Sequence, residues 1–193
     1  MDFEPARVDL TPAQRVGLLA IARRAIREAV TGLTDPGPPL PLDNLPAGGG
    51  AFVTLLRAGK LRGCIGRIEG FGPLAQTVYQ VAVSACRDDY RFPPVAPPEL
   101  AELTIEISIL TRAERIQAPD QVRPGIDGLI VTLGQRRGLL LPQVASSYGW
   151  DAKTFMDQTC IKAGLDPQAW KRPGVILERF QALVFAEQQP ANP

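Results

Sequence analysis

Apolar and polar positions alternate along several stretches of this chain, and the period of each alternation predicts a helix or a strand. The most regular stretch is residues 103–109, in which every second side chain is a large aliphatic one: Leu103, Ile105, Ile107 and Ile109. Side chains of a strand point to opposite faces in turn, so a period of two predicts a strand that buries one face.

Periods of three and four residues predict helices elsewhere. The first helix is expected to begin after Thr11, which forms a capping-box pattern with Gln14, and to end at Gly32. Residues 72–86 and residues 150–164 predict two more helices. The apolar face expected for the first helix consists of Val16, Leu19, Ala22, Ile26 and Ala29.

Strand-like runs supply the remaining elements. Residues 51–69 and residues 128–142 each predict a hairpin, the first turning near Gly59 and the second within the stretch GQRRG. Residues 175–187 predict one long final strand. Helices that are interspersed with hairpins indicate an α+β fold, with a mainly antiparallel sheet and flanking helices.

Composition places the chain in a broad class. Its 193 residues, 45% of them hydrophobic, suffice for one globular domain with a sizeable core. A net charge of +1 provides no overall field toward nucleic acid or an anionic membrane. The start of the chain lacks a secretory signal pattern, and no apolar run reaches about 18 residues. We therefore expect a cytoplasmic protein that does not associate with membranes.

The residue inventory excludes several kinds of chemistry. The chain contains no histidine, which rules out catalytic dyads and triads that use histidine and zinc sites that use it as a ligand. Three cysteines without close spacing do not form a Cys₄ zinc site, an iron–sulfur cluster or a disulfide framework. No metal and no cofactor is expected, and catalysis would depend on other residue types or on a partner protein.

The hexapeptide LRGCIG at residues 61–66 is the most unusual local feature. In a regular strand Arg62 and Cys64 share one face, and a neighbouring guanidinium favours the thiolate, so Cys64 is a candidate nucleophile. Gly63 and Gly66 weaken a strand and indicate a bulge, a bend or a ligand close to the backbone. The alternative is that Cys64 only fills a tight space and that the glycines shape a bend.

Other polar positions are open to two interpretations. Asp89 and Arg91, which precede two prolines, form either a rigid polar corner or simply a capped helix exit. Glu106 lies on the polar face of its strand, either in solvent or in a site. Cys86 and Cys160 fall on apolar sides of predicted helices and are expected in the core.

Five stretches occur in an order that resembles the AMMECR domain family, and in particular the branch called AmmeMemoRadiSam system protein A. They are LRGCIG with the run before it, DDYRFPPV, LTIEISILT, GLLLPQVASSYGWD and TCIKAGL. The resemblance covers residues 10–187. It implies a single domain over residues 1–193 that has a larger and a smaller lobe with a groove between them. Within it, residues 35–50 are expected to be a loop and residues 188–193 a disordered tail.

The resemblance also implies a site and partners. It points to a functional association with a Memo-like protein and a radical SAM enzyme. For a binding module, the ligand expected in the groove is a nucleotide, an RNA or a peptide. Where relatives commonly have a histidine this chain has Asp127, so a base or ligand role there could survive only as a carboxylate. The other residues to which the resemblance assigns the site are Arg62, Gly63, Cys64, Gly66, Asp89, Arg91, Phe92 and Glu106.

Three functions are compatible with these observations. The first is a binding module that presents a ligand to its partners, which we favour because no general base stands out. The second is an enzyme or carrier that uses Cys64 as the nucleophile for a covalent intermediate. The third is a non-catalytic scaffold for protein interactions.

Overall fold

The computed structural model describes residues 8–34, 45, 49–70 and 72–188, and the chain divides into two compact units. The larger unit is built from Val8–Leu110 and the segment that begins at Leu183, and the smaller unit from Thr111–Ala182. Helices accompany two four-stranded antiparallel sheets, which confirms the α+β class. The predicted groove and the single-domain boundary stay predictions.

The helices and strands are numbered in chain order. They are α1 (Pro12–Thr31), β1 (Gly49–Arg57), β2 (Lys60–Glu69), α2 (Leu74–Arg87), β3 (Leu103–Leu110), β4 (Glu114–Ile116), β5 (Gly128–Leu133), β6 (Arg136–Leu140), α3 (Pro142–Tyr148), α4 (Ala152–Lys162), β7 (Ile176–Phe180) and β8 (Ala182–Ala186).

Helix α1 begins and ends where the sequence predicts. The Thr11 hydroxyl accepts a hydrogen bond from the Gln14 amide, the Gln14 side chain accepts one from the Thr11 amide, and Gly32 ends the helix at φ 72°. The buried face differs from the prediction, because Val16 is 67% exposed. Small residues dominate the observed face, which lets α1 pack closely on α2: Gly17, Leu18, Ile21, Ala22, Ala25, Ile26 and Ala29.

The sheet of the larger unit has the strand order β2-β1-β3-β8. One of its faces carries the aliphatic side chains of the core, beneath α1 and α2, and includes Val53, Leu55, Ile105 and Ile107. The predicted alternation in β3 is confirmed, since Leu103, Ile105, Ile107 and Ile109 are all buried.

The β1–β2 hairpin contains a β-bulge. Its two-residue turn places Ala58 and Gly59 at positive φ, 49° and 73°, as type I′ turns require. Leu56 pairs with Leu61, but Leu55 pairs with Gly63, so Arg62 is an extra residue without a partner of its own. A bulge shifts all later pairs by one position and reverses the face on which each side chain lies.

The smaller unit has the strand order β4-β7-β5-β6, with α4 packed on β5 and β6. Its core contains Phe155, Met156 and Cys160 from α4. The predicted hairpin over 128–142 is confirmed, although its turn is confined to the two residues between β5 and β6. Sequence periodicity did not predict α3 or β4, which are too short for a clear period.

The predicted final strand is two strands. Residues of β7 pair with β4 and β5, whereas β8 lies in the sheet of the larger unit beside β3. The break is at Gln181, whose amide donates to the Thr111 hydroxyl at 2.8 Å and whose carbonyl accepts from the Thr111 amide at 2.8 Å. These bonds hold the chain where it leaves one sheet for the other.

Some predicted segments lie partly outside the described residues. Of the predicted loop 35–50, residues 35–44 and 46–48 are outside them, while Gly49 and Gly50 belong to β1. Residues 189–193 of the predicted tail are also outside them. In the part of the chain that the structure describes, none of the helices has both the length and the apolar character needed to span a membrane.

Candidate functional site

Cys64 lies in β2, the outermost strand of its sheet, and two side chains hold its backbone. The Cys64 amide donates to Asp89 Oδ2 at 2.8 Å, and Arg91 Nη2 donates to the Cys64 carbonyl at 3.3 Å. These are the backbone groups that a further strand would otherwise bond. We call Asp89 and Arg91 the backbone clamp. The structure thus brings together three of the predicted site residues.

Asp89 is the centre of the clamp. Its carboxylate is 4% exposed and accepts four hydrogen bonds, from the Cys64 amide, the Arg91 amide, Arg91 Nε and Arg91 Nη2. The bonds from the Arg91 side chain hold the pKa of Asp89 well below its ordinary value. Because its lone pairs are occupied and it binds protons weakly, Asp89 is a structural anion and a poor general base.

Arg62 occupies a different position from the one expected. Its Nε and Nη2 donate to the Glu99 carboxylate at 2.7 and 2.9 Å, and its Nη1 donates to the Pro93 carbonyl at 3.0 Å. The bond from Arg62 lowers the pKa of Glu99 to about 2. A β-bulge changes the direction in which a side chain points, and here the extra residue, Arg62, bonds Glu99 instead of lying beside Cys64. The guanidinium that contacts Cys64 is therefore the one of Arg91.

The Cys64 thiol lies next to a residue that the sequence analysis missed. Thr54 is directly opposite Cys64 in β1, and its hydroxyl is 3.2 Å from Cys64 Sγ. Thr54 is also directly opposite Glu106 in β3. Directly opposed residues project from the same face. Cys64, Thr54 and Glu106 thus form one row across three strands, which we call the polar row.

Glu106 ends the polar row. Its side chain is half-buried, and burial raises its pKa above the ordinary value. No described residue donates a hydrogen bond to its carboxyl or forms an ion pair with it. A partly desolvated carboxyl without an internal partner is unusual, because proteins generally pair such groups.

Packing within the larger unit accounts for both glycines of the hexapeptide. A Cβ atom on Gly63 would lie 2.4 Å from the carbonyl oxygen of Ala85 in α2, and one on Gly66 would lie 2.1 Å from the Phe52 ring. Phe52 is directly opposite Gly66 in β1. Of the three explanations that the sequence left open for these glycines, a bulge is present at this point of the hairpin, and a ligand is not needed to explain either glycine.

Asp127 belongs to the smaller unit and is fully buried. It accepts hydrogen bonds from the Arg123 amide at 2.9 Å, from Arg123 Nε and Nη2 at 3.1 and 3.0 Å, and from Gln181 Nε2 at 3.2 Å. Burial opposes its ionisation, but the bonds from Arg123 outweigh that effect and hold its pKa below the ordinary value. Its carboxylate therefore has a structural use, to join the preceding turn to Gln181.

The described ranges contain no group of three or more cysteine, aspartate or glutamate side chains placed to hold a metal ion. The chemistry available at Cys64 is that of a thiol, a hydroxyl, a carboxyl and a guanidinium that is already paired.

We expect Cys64 to react with iodoacetamide in the folded protein much faster than the other two cysteines. Cys86 is 2% exposed and Cys160 is fully buried, and burial raises the pKa of both thiols, that of Cys86 to about 11. Cys64 is only partly buried. Peptide mapping by mass spectrometry measures the three rates, with denatured protein as the control. Faster labelling of Cys86 or Cys160 would contradict the assignment.

Known proteins are similar to this chain in sequence. The family model of AMMECR1 matches residues 19–185. A protein of Methanothermobacter thermautotrophicus is 45% identical over 180 residues, which cover 88% of this chain and 92% of that protein. Protein TK0174 of Thermococcus kodakarensis is 43% identical and covers 91% of both chains.

A solved structure is also similar. The crystal structure of PH0010 from Pyrococcus horikoshii matches with a TM-score of 0.78 at 38% identity, over 91% of this chain and 92% of that one. Together, the family match, the sequence identities and the shared fold show that this chain belongs to the AMMECR1 family.

Proposed function

We propose that the protein binds a ligand at Cys64 and presents it to the enzymes of a modification pathway, a Memo-like protein and a radical SAM enzyme. The ligand is a nucleotide, an RNA segment or a peptide. The observation that carries this proposal is the backbone clamp, which fixes Cys64 on an outermost strand by its amide and its carbonyl. The clamp thereby fixes the position of Cys64 beside Thr54 and Glu106, and polar side chains in fixed positions are what a binding site needs to orient a ligand.

The surroundings of the thiol favour binding over nucleophilic catalysis. Cys64 Sγ contacts the Thr54 hydroxyl, and the carboxylate nearest the Cys64 backbone, Asp89, is saturated with hydrogen bonds. A cysteine nucleophile is normally activated by an adjacent base or by an unpaired cation. Among the residues that the structure describes, the contacts of this thiol include neither.

Complementation of a strain that lacks the gene tests the proposal. Cys64→Ser should retain function, because serine keeps the size and hydrogen bonding of the side chain. Arg91→Lys should lose it, because lysine lacks the planar fork that holds Asp89 and the Cys64 carbonyl together. Native mass spectrometry of protein from its own host should find a retained ligand in the wild type and none in Arg91→Lys.

The chain provides a matched control. Arg123 bonds Asp127 through the same two nitrogens, with the arginine side chain 46% exposed and the aspartate side chain 1% exposed, against 43% and 3% in the clamp. Arg123→Lys should therefore cost similar stability yet retain function. Loss of function in Cys64→Ser alone would instead support the nucleophile, and wild-type growth of all variants would support a scaffold.

A further inference from the structure

Some charged groups around Cys64 are paired with a group of opposite charge, and one is not. The Arg91 guanidinium is matched by the Asp89 carboxylate at 2.6 Å, and the Arg62 guanidinium by the Glu99 carboxylate at 2.7 Å. Because each pair joins one positive and one negative group, it adds little net charge to the surroundings of Cys64. Glu106 lies on the polar row without a partner of opposite charge among the described residues. The net charge that this row offers to a ligand is therefore negative.

Strand geometry places Glu106 within reach of a ligand that contacts Cys64. Cys64 and Glu106 are both directly opposite Thr54, one on either side. Adjacent strands lie about 4.8 Å apart, so the Cα atoms of Cys64 and Glu106, two strands apart, are separated by about 10 Å. This is the length of a small molecule or of one extended side chain. A ligand lying across Thr54 touches both ends of the row.

We infer that the ligand presents a positively charged hydrogen-bond donor, an ammonium group of an amine or of a peptide, to the carboxyl of Glu106. The inference rests on the proposed binding of a ligand at Cys64 and specifies its chemistry. A phosphate at this place would bring a second negative charge beside a partly desolvated carboxyl, which is repulsive. An ammonium group supplies both the charge and the donors that Glu106 lacks.

The pairing of the two nearby arginines disfavours nucleotides and RNA as ligands. Phosphate sites use arginines whose donors are free or whose charge is not already cancelled. Here the two nearby guanidinium groups donate to carboxylates and to backbone carbonyls. Of the ligand classes considered above, an amine-bearing peptide is the one that fits, and a free amine shares its chemistry.

The Cys64 thiol provides a probe of this charge. Methanethiosulfonate reagents that carry either a trimethylammonium or a sulfonate group form a disulfide with the thiol and release methanesulfinate. The ratio of the cationic rate to the anionic rate at Cys64, divided by the same ratio in denatured protein, reports the local potential. At low ionic strength we expect this normalised ratio to be about 3 to 10 in the wild type, because the Glu106 carboxylate attracts the cationic reagent.

Two variants locate the source of the potential. Glu106→Gln should return the normalised ratio to about 1. Glu102→Gln makes the same chemical change at a carboxylate that is already paired with Arg57, and should leave the ratio near its wild-type value. A wild-type ratio at or below 1, or a ratio that Glu106→Gln does not lower, overturns the inference.

Protection of Cys64 against iodoacetamide tests the ligand class directly. Putrescine should slow the labelling, and Glu106→Gln should abolish that effect, whereas AMP should not slow it. Protection by AMP but not by putrescine overturns the inference while it leaves the proposed binding function standing. Failure of the proposed function is seen separately, as wild-type complementation by Arg91→Lys.

Discussion

Replacement of Gly63 by alanine is expected to lower the free energy of unfolding by about 3 kcal/mol, the upper end for overpacking of a core. The new Cβ would lie 2.4 Å from the Ala85 carbonyl oxygen, a backbone atom in α2 that no change of rotamer can move aside. The helix must shift away from the sheet, and contacts across the core are lost. Urea denaturation measures the change.

Gly66→Ala serves as the comparison. The Cβ atom there would lie 2.1 Å from Cγ of the Phe52 ring, a side chain that can be shortened, and 2.6 Å from the Ala51 carbonyl oxygen. Gly66→Ala should therefore cost less in a Phe52→Ala background, which removes the ring but not the Ala51 contact, than in the wild type, whereas Gly63→Ala should cost the same in both. If Gly63→Ala proved as stable as the wild type but lost function, the glycine would serve a ligand and not the helix.

Asp89→Asn is expected to lower the free energy of unfolding by about 2 to 3 kcal/mol at pH 7, in the range for buried donors that lose their acceptors. Four hydrogen bonds converge on the carboxylate, and an asparagine side chain has only one acceptor oxygen and brings donors of its own. The loss stays below that of a fully buried pair, because the Arg91 side chain is 43% exposed and can be rehydrated.

Acid should reduce the difference in unfolding free energy between the wild type and Asp89→Asn. The pKa of Asp89 is held below its ordinary value of 3.8 in the folded state, so the stability it contributes is present above that value and declines as the pH falls below it. The gap in unfolding free energy should therefore be smaller at pH 3 than at pH 7. An equal gap at both values would contradict the role given to the charge.

A second buried carboxylate, that of Asp127, distinguishes the effect of the backbone clamp from that of a general loss of stability. Asp127→Asn removes a carboxylate with a similar set of four hydrogen bonds, but in the smaller unit. Both variants should be destabilised. Of the two variants, only Asp89→Asn should change the rate at which iodoacetamide labels Cys64, because Asp89 bonds the Cys64 backbone and Asp127 does not.

The sequence predicts those parts of the fold that depend on local pattern. The capping box of α1 and the alternation of β3 are confirmed, since each follows from neighbours along the chain. The break at Gln181 is not visible in this way. Residues 175–187 are uniformly strand-like, and the break depends on hydrogen bonds to Thr111, 70 residues away in the sequence.

The bulge at Arg62 explains why the site was only partly predictable. Without it, counting from the two-residue turn would pair Cys64 with Val53, and the thiol would face the core beside α2. The extra residue pairs Cys64 with Thr54 instead and turns Gly63 toward the helix. The sequence shows which residues are present in LRGCIG, but it does not show that Arg62 has no partner in β1. The contact between Cys64 and Thr54 therefore could not be predicted.

The position of β2 gives the backbone clamp a consequence for solubility. An outermost strand exposes amides and carbonyls that can recruit a strand from another molecule, and sheets that grow in this way aggregate. At Cys64 both groups are already bonded to side chains of the same chain. An incoming strand would have to displace a buried carboxylate and its four hydrogen bonds, so the residue at the centre of the proposed site is also a point where the sheet is closed to intermolecular growth.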